Sequence, residues 1–113
     1  MNDTGQETNQ PVVHAGEEQL QAVVHPAGDV VAASIGALRQ EMQAMMSAGV
    51  RQMTVDLTDV RMIDSRGIGL LISAHNSLHK QGGTLAVMHA SKDILDLLRT
   101  MRIHQHFSVT GDE

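Results

Sequence analysis

Residues 56–71 read DLTDVRMIDSRGIGLL, and this stretch decides the fold. The apolar run that leads into it, residues 52–57, predicts a buried strand. An acidic loop follows and delivers Ser65 to the start of a helix. Gly67 and Gly69 fall in the first turn of that helix, where each glycine costs about 1 kcal/mol relative to alanine. The simplest reason is that bare backbone here lets another surface come close to Ser65.

The rest of the chain alternates β-prone runs with segments of helical periodicity. The predicted strands are residues 11–14, 20–25, 52–57 and 84–88. The first two of these strands form a hairpin. The predicted helices are residues 34–48, residues 66–80 and a third segment that begins after Ser91 as its N-cap. Residues 103–109 would then close the chain and cover the sheet edge.

This alternation predicts the fold class and the domain limits. We expect an α/β single domain with a mixed β-sheet of about four to five strands, flanked by about three to four helices. The domain would occupy residues 11–110. Residues 1–10 are polar and acidic and would form a flexible tail, and residues 111–113 would form a short C-terminal tail.

Composition excludes several classes of function. The chain has 113 residues and no Cys, so disulfides, zinc–thiolate sites and thiol catalysis are ruled out. Aromatic residues make up 1%, so the core must be aliphatic with methionine, and stacking platforms for nucleic acid are missing. The net charge of −5 also argues against nucleic acid. No apolar run could span a membrane and residues 1–10 lack the features of a secretory signal, so we expect a cytoplasmic protein.

Two interpretations of Ser65 stay open from the pattern alone. As a helix N-cap, its hydroxyl would accept a hydrogen bond from an amide about three residues further on. As a phosphorylation site, it would gain about −1.5 to −2 charges. The free amides and the positive dipole end of the helix would tolerate that phosphate, whereas an approaching protein would meet it next to Asp64. Phosphorylation would then repel a partner and leave the fold intact.

The motif Asp64-Ser65-Arg66-Gly67-Ile68-Gly69 resembles the signature of STAS-domain anti-sigma factor antagonists, also called anti-anti-sigma factors. In that family a strand leads to an Asp-Ser-x-Gly-[Leu/Ile]-Gly stretch that opens a helix. The likeness extends over residues 11–109. Three shorter segments are similar to the family's Gly-Glu-Leu turn, its Gly-Gly turn and its closing Leu-x-x-x-Phe element: Gly28-Asp29-Val30, Lys80-Gln81-Gly82-Gly83-Thr84-Leu85 and residues 103–107.

The resemblance implies a binding module in bacterial signal transduction that is not itself an enzyme and needs no cofactor. The unmodified chain would bind an anti-sigma factor that is also a serine kinase with a histidine-kinase-like ATP fold, and this binding would free a sigma factor. Phosphorylation of Ser65 would end the complex, and a metal-dependent serine phosphatase would restore it. The partner-binding residues that the resemblance implies are Asp29, Asp64, Ser65, Arg66, Gly67, Ile68 and Gly69.

Two positions depart from the family pattern. Val31 stands where an Asp often follows the Gly-Glu-Leu triplet, so the chain lacks that carboxylate. Arg66 stands where a small residue is common, and its guanidinium could pair with a phosphate on Ser65 and offset part of the repulsion. Both departures favour a divergent role, whereas the presence of Ser65 with both glycines favours the switch. STAS-like domains also serve, without a phosphorylation switch, as docking subunits of ABC-type lipid transporters or of other signalling complexes.

Two further alternatives come from the residues themselves. A hydrolase would need an activated Ser65, but the Gly-x-Ser-x-Gly elbow is absent. Nothing in the sequence indicates that His25, His89 and an Asp come together with Ser65 as a triad. A metal site would use the pair His75 and His79 or the pair His104 and His106, and neither pair has a third ligand at a recognisable spacing. Loop capping explains three acidic residues better than Mg²⁺ binding does: Asp56, Asp59 and Asp64.

Overall fold

Four parallel strands and three α-helices make up residues 20–111, the part of the chain that this computed structural model describes. The elements in chain order are β1 (Leu20–Val24), α1 (Ile35–Ser47), β2 (Val50–Asp56), α2 (Ser65–Lys80), β3 (Thr84–Ala90), α3 (Lys92–Thr100), a 3₁₀ helix (Ile103–Gln105) and β4 (Ser108–Gly111). Strands and helices alternate, which confirms the predicted α/β class. Among residues 20–111, no helix is long and apolar enough to cross a membrane.

The sheet has the strand order β1-β2-β3-β4, and each neighbouring pair is parallel. Each connection is a β-α-β crossover, and the right-handed sense of such crossovers places successive helices on the same face. The prediction of a mixed sheet depended on an antiparallel strand at residues 11–14. That segment lies outside the described residues, as do the predicted tail at residues 1–10 and residues 112–113.

A row of valines crosses the middle of the sheet and forms the centre of the core. Val24 pairs with Val55, Val55 pairs with Val87, and all three side chains are fully buried. Met42 of α1 and Met53 of β2 are also buried and supply the bulk that aromatic rings give to many cores. Each fully buried side chain of this size stabilises the fold by about 1.5–3 kcal/mol.

The ends of the elements agree with the prediction to within two residues. The helix predicted over residues 66–80 begins one residue earlier, at Ser65, and the strand predicted to end at residue 88 continues to Ala90. Gly82 has φ +78° and turns the chain from α2 into β3, as a glycine after a helix end does. Residues 103–109, predicted to cover the sheet edge, form the 3₁₀ helix and the first half of the edge strand β4.

The sheet topology brings two loops together. β1 and β2 are parallel neighbours, so their carboxyl ends lie side by side. The loops that follow them, residues 25–34 and 57–64, therefore leave the sheet on the same side, which we call its carboxyl edge because the carboxyl ends of the strands lie there. In open parallel sheets this is the edge at which binding sites form.

Two adjacent leucines of α3 test the orientation of that helix. Leu98 is 0% exposed and Leu97 is 37% exposed. We expect Leu98→Ala to lower the free energy of unfolding by about 2–5 kcal/mol, because it empties a core position. The matched control Leu97→Ala should cost about 1 kcal/mol or less. Urea denaturation followed by circular dichroism measures both values, and equal losses would contradict this orientation of α3.

Candidate functional site

A single parallel β-bridge joins the two loops at the carboxyl edge of the sheet. The bridge pairs Val30 with Ile63. The Val30 amide donates to the Met62 carbonyl at 3.0 Å, and the Asp64 amide donates to the Val30 carbonyl at 3.3 Å. Val30 and Ile63 are both buried, so the bridge is part of the core. The segment just before α2 is therefore held in one position.

The carboxylate of Asp64 fixes the start of α2 and ties it to the first loop. Its Oδ1 accepts hydrogen bonds from the Arg66 amide at 3.0 Å and the Gly67 amide at 2.9 Å. Its Oδ2 accepts from the Ala32 amide at 3.0 Å. The bond from Gly67, followed by the bond from Ala32, lowers the pKa of the Asp64 carboxyl below its ordinary value. Asp64 thus acts as an N-cap and as a link between loops.

Ser65 is not the N-cap of α2, so that interpretation of the sequence is wrong. Asp64 occupies the cap position and Ser65 is the first residue of the helix. The side chain of Ser65 is exposed, and within residues 20–111 its hydroxyl has no hydrogen-bond partner. Two of the helix amides expected to tolerate a phosphate here are already engaged, because Asp64 binds the amides of Arg66 and Gly67.

The two glycines of the motif have different roles. Gly67 is buried, and a β-carbon on it would overlap the Val30 carbonyl oxygen and lie 2.6 Å from Cγ1 of Ile63. The expectation that Gly67 makes room for an approaching protein is therefore wrong, since it makes room for the first loop. Gly69 is exposed and a β-carbon there would meet no atom within 4 Å. Ile68 is buried, so its side chain does not reach the surface.

Asp29 supports the same loop junction from the other side. Its Oδ1 accepts hydrogen bonds from the Arg61 and Met62 amides, both at 3.1 Å. Its main-chain carbonyl accepts from the Ser34 hydroxyl at 2.7 Å, and that hydroxyl oxygen accepts from the Val31 amide at 3.1 Å. Asp29 is exposed, but its carboxylate braces the second loop.

The structure adds exposed residues that the sequence interpretation missed. Met62 is 58% exposed and stands directly before Ile63 and Asp64. Its own amide is bound to Asp29. Ala32 and Ala33 are exposed in the first loop, where Asp64 holds Ala32. The exposed residues at this junction form what we call the Ser65 surface: Ala32, Ala33, Met62, Ser65, Arg66 and Gly69. No sequence signal separates Met62 from the other apolar residues of this loop, which are buried: Leu57, Val60 and Ile63.

The other carboxylates and histidines near this edge have partners of their own. Nε2 of His25 lies 2.9 Å from Oδ2 of Asp59. Thr58 donates two hydrogen bonds to Asp56, and the bond from its hydroxyl lowers the pKa of Asp56. In the described range, no histidine is hydrogen-bonded to Ser65, and no three His, Asp or Glu side chains are grouped so that they could hold a metal ion. Nothing in this geometry supports a triad or an Mg²⁺ site.

The sequence matches a known domain family over most of its length. The family model is described as "Mlab, STAS domain" and covers residues 13–110. A search among curated proteins found no match.

Solved structures of other proteins have a similar fold. TM1081 from Thermotoga maritima, described as a proposed anti-sigma factor antagonist, has a TM-score of 0.76 at 15% identity over 80% of this chain and 78% of that one. The NMR structure of TM1081 has a TM-score of 0.71 at 13% identity, covering 91% and 90%. The anti-sigma factor antagonist SpoIIAA in its unphosphorylated form has a TM-score of 0.63 at 16% identity, covering 82% and 80%. These similarities confirm the predicted STAS-like fold.

Alanine substitutions separate the roles of the two glycines. Gly67→Ala should lower the free energy of unfolding by about 1–3 kcal/mol, because its methyl group would overlap the Val30 carbonyl. Gly69→Ala is the matched control and should raise that free energy by up to about 1 kcal/mol, because alanine favours the helix and the site is open. Thermal or urea unfolding measures both. If the two substitutions changed the free energy of unfolding equally, or if Gly69→Ala lowered it more than Gly67→Ala did, the contact with Val30 would not constrain Gly67.

The acid dependence of stability tests the role of Asp64. The folded state lowers the pKa of Asp64 below its ordinary value of 3.8, so its contribution is present above pH 3.8 and is lost as the pH falls below it. Asp64→Asn should therefore flatten the fall of the unfolding free energy as the pH drops below about 4. Glu41→Gln, which removes an exposed carboxylate of α1, is the control and should leave the slope unchanged. An unchanged slope in Asp64→Asn would contradict this role.

Proposed function

Because the chain belongs to the STAS-domain family, we propose that it is an anti-sigma factor antagonist that works by partner switching. The unphosphorylated chain binds an anti-sigma factor that is also a serine kinase with a histidine-kinase-like ATP fold, and the sigma factor is released. Phosphorylation of Ser65 ends this complex, and a metal-dependent serine phosphatase restores it. The chain itself is a substrate and a binding module, with no cofactor and no catalytic residue.

The observation that carries this proposal is that Asp64 makes the structural contacts at the start of α2 and its neighbour Ser65 makes none of them. Asp64 caps α2 and ties the loops together, whereas Ser65 is exposed and is used for neither task. A phosphate can therefore be added to Ser65 without removing a hydrogen bond of the described structure. The modification would change the Ser65 surface and leave the fold in place.

The charges around Ser65 favour repulsion of a partner after phosphorylation. The phosphate brings about −1.5 to −2 charges and stands directly beside the ionised carboxylate of Asp64. Arg66 can compensate about one of these charges. The Arg66 and Gly67 amides are bound to Asp64 and do not draw the phosphate into the helix end. A net negative group therefore stays on the Ser65 surface.

The Ser65 surface also fits a protein partner by its shape and polarity. Ala32, Ala33 and Gly69 present small or absent side chains, so another backbone can approach closely. Met62 offers a flexible apolar contact, and methionine is common at adaptable binding surfaces. Asp29 and Asp64 hold the backbone beneath this surface, so we assign them a positioning role. The buried Gly67 and Ile68 contribute through the fold alone.

A second candidate is the docking role without a phosphorylation switch. The matching family model is described by the name Mlab and not by that of an antagonist, and Arg66 departs from the antagonist pattern. In this case the Ser65 surface would bind a transporter or scaffold component, and the charge state of Ser65 would not control the complex.

Affinity capture from a lysate of the source organism distinguishes the two candidates. Wild type and Ser65→Ala should both retain a protein with a histidine-kinase-like ATP fold, whereas Ser65→Asp should lose it, because a negative charge then stands on the surface. Gly69→Arg should also lose it, because the new side chain projects from an open position without disturbing the core. Ser73→Asp, an exposed change further along α2, is the charge control and should bind like wild type.

Mass spectrometry of the captured proteins gives the decision. Retention of the same permease, ATPase or scaffold proteins by wild type and by Ser65→Asp would reject the switch and favour the docking role. For a captured kinase, incubation with ATP should phosphorylate wild type and leave Ser65→Ala unmodified. Phosphorylation at another residue would contradict the assignment of Ser65.

A further inference from the structure

The fold assembles a histidine cluster at the far end of α2 from the Ser65 surface. The sequence contains two separate pairs, and the structure brings members of both together. The ring centroids of His75 and His79 are 5.7 Å apart, and those of His75 and His106 are 6.3 Å apart. Phe107 lies on the same ring of His75, with centroids 5.4 Å apart. His104, the other member of the second pair, is exposed and belongs to none of these ring contacts.

The cluster lines a cleft of about 460 Å³ between α2, β3 and the segment that leads into β4. Among residues 20–111, no carboxylate lines the cleft. α2 contributes His75 and His79, and the segment before β4 contributes His106, so the titratable groups that the described residues place there are histidines. The remaining residues that line it are uncharged: Gly83, Thr84, Leu85, Ala86, Gln105, Phe107 and Ser108.

His75 is poorly suited to carry a proton in this position. Its Nδ1 is buried, and within the described residues it has no hydrogen-bond partner. Burial lowers the pKa of His75, and the charges on His79 and then His106 lower it further when those rings are protonated. The neutral ring of His75, by contrast, packs well against the buried ring of Phe107.

The segment on the other side of the cleft is anchored in the core by Ile103 and Phe107, which are both buried. β4 is an edge strand and pairs with β3 at three positions, with an irregularity between the second and the third. The residues just before it, His106 and Phe107, contact the ring of His75 on α2. The cluster therefore lies where α2 meets the edge strand β4 and the buried ring of Phe107.

We propose that the cluster of His75, His79 and His106 is an acid-sensitive latch that holds the segment from Ile103 to Gly111 on the domain. With neutral rings, Phe107 packs on His75 and β4 stays on the sheet edge. In acid, positive charges gather about 6 Å apart in a cleft that no carboxylate of residues 20–111 lines, and they repel each other. Opening the segment separates the rings and exposes them to water, which relieves the repulsion.

The direction of the pH effect follows from proton linkage. The closed state lowers the pKa of His75, so below the ordinary value of 6.5 the open state binds more protons than the closed state. Opening then becomes more favourable as the pH falls. Each additional proton that the open state binds raises the opening equilibrium by up to about tenfold per pH unit.

Native-state hydrogen exchange tests the latch. The amides of β4 should lose protection between about pH 7 and pH 5, after correction for intrinsic exchange, by up to about tenfold per pH unit relative to those of β2. The double variant His79→Gln/His106→Gln should remove most of this loss, and both side chains are exposed enough to be changed without unfolding. His104→Gln, from the same segment but outside the cluster, should behave like wild type.

Two results would overturn the latch. One is that β4 and β2 lose protection in parallel as the pH falls, which would indicate global destabilisation by other groups. The other is that His104→Gln changes the pH dependence as much as the double variant does, which would indicate a general charge effect of the segment.

Discussion

The carboxylate of Asp64 accepts three backbone hydrogen bonds that the rest of the candidate site depends on. Two come from the first turn of α2, and the third comes from Ala32, which is 32 residues earlier in the chain. A carboxylate can do this because its two oxygens accept several bonds, and the positive end of the helix favours its negative charge. Without this link the first loop would be joined to the segment before α2 by the bridge between Val30 and Ile63 and by the hydrogen bonds of Asp29.

This arrangement separates the structural role of Asp64 from the role that we propose for Ser65. Since Asp64 caps the helix, Ser65 can be exposed and chemically modified while the hydrogen bonds below it remain. Asp29 contributes to the same separation by bracing the second loop through the amides of Arg61 and Met62. The Ser65 surface, which we propose as the partner-binding surface, is therefore built on backbone held from both sides, and this would limit the entropy lost when a partner binds.

The two ends of α2 have contrasting chemistry. At its start the helix carries an ionised carboxylate whose charge is stabilised by amides. Towards its end the helix carries His75, whose charge is opposed by burial and by neighbouring rings. One helix thus bears both a site proposed for phosphorylation and a site proposed to respond to acid.

The sequence by itself determined the local features of this protein. Helical spacing of apolar residues located α1 and α2, the alternation of strands and helices predicted the α/β class, and the motif from Asp64 to Gly69 indicated the family. These features depend on neighbours within a few residues, so they can be read along the chain. The antiparallel strand predicted at residues 11–14 stays a prediction.

Only the tertiary structure decided which residues of the motif are exposed and which make structural contacts. Gly67 and Gly69 look alike in sequence, but Gly67 faces the Val30 carbonyl and Gly69 faces open space. Ser65 and Asp64 are both good caps, and the choice of Asp64 depends on Ala32 being close enough to bind its second oxygen. The cluster at His75 likewise needs His106, which is 31 residues away in the chain. Such contacts depend on how β1, α2 and β4 are placed by the sheet, and sequence spacing carries no information about that distance.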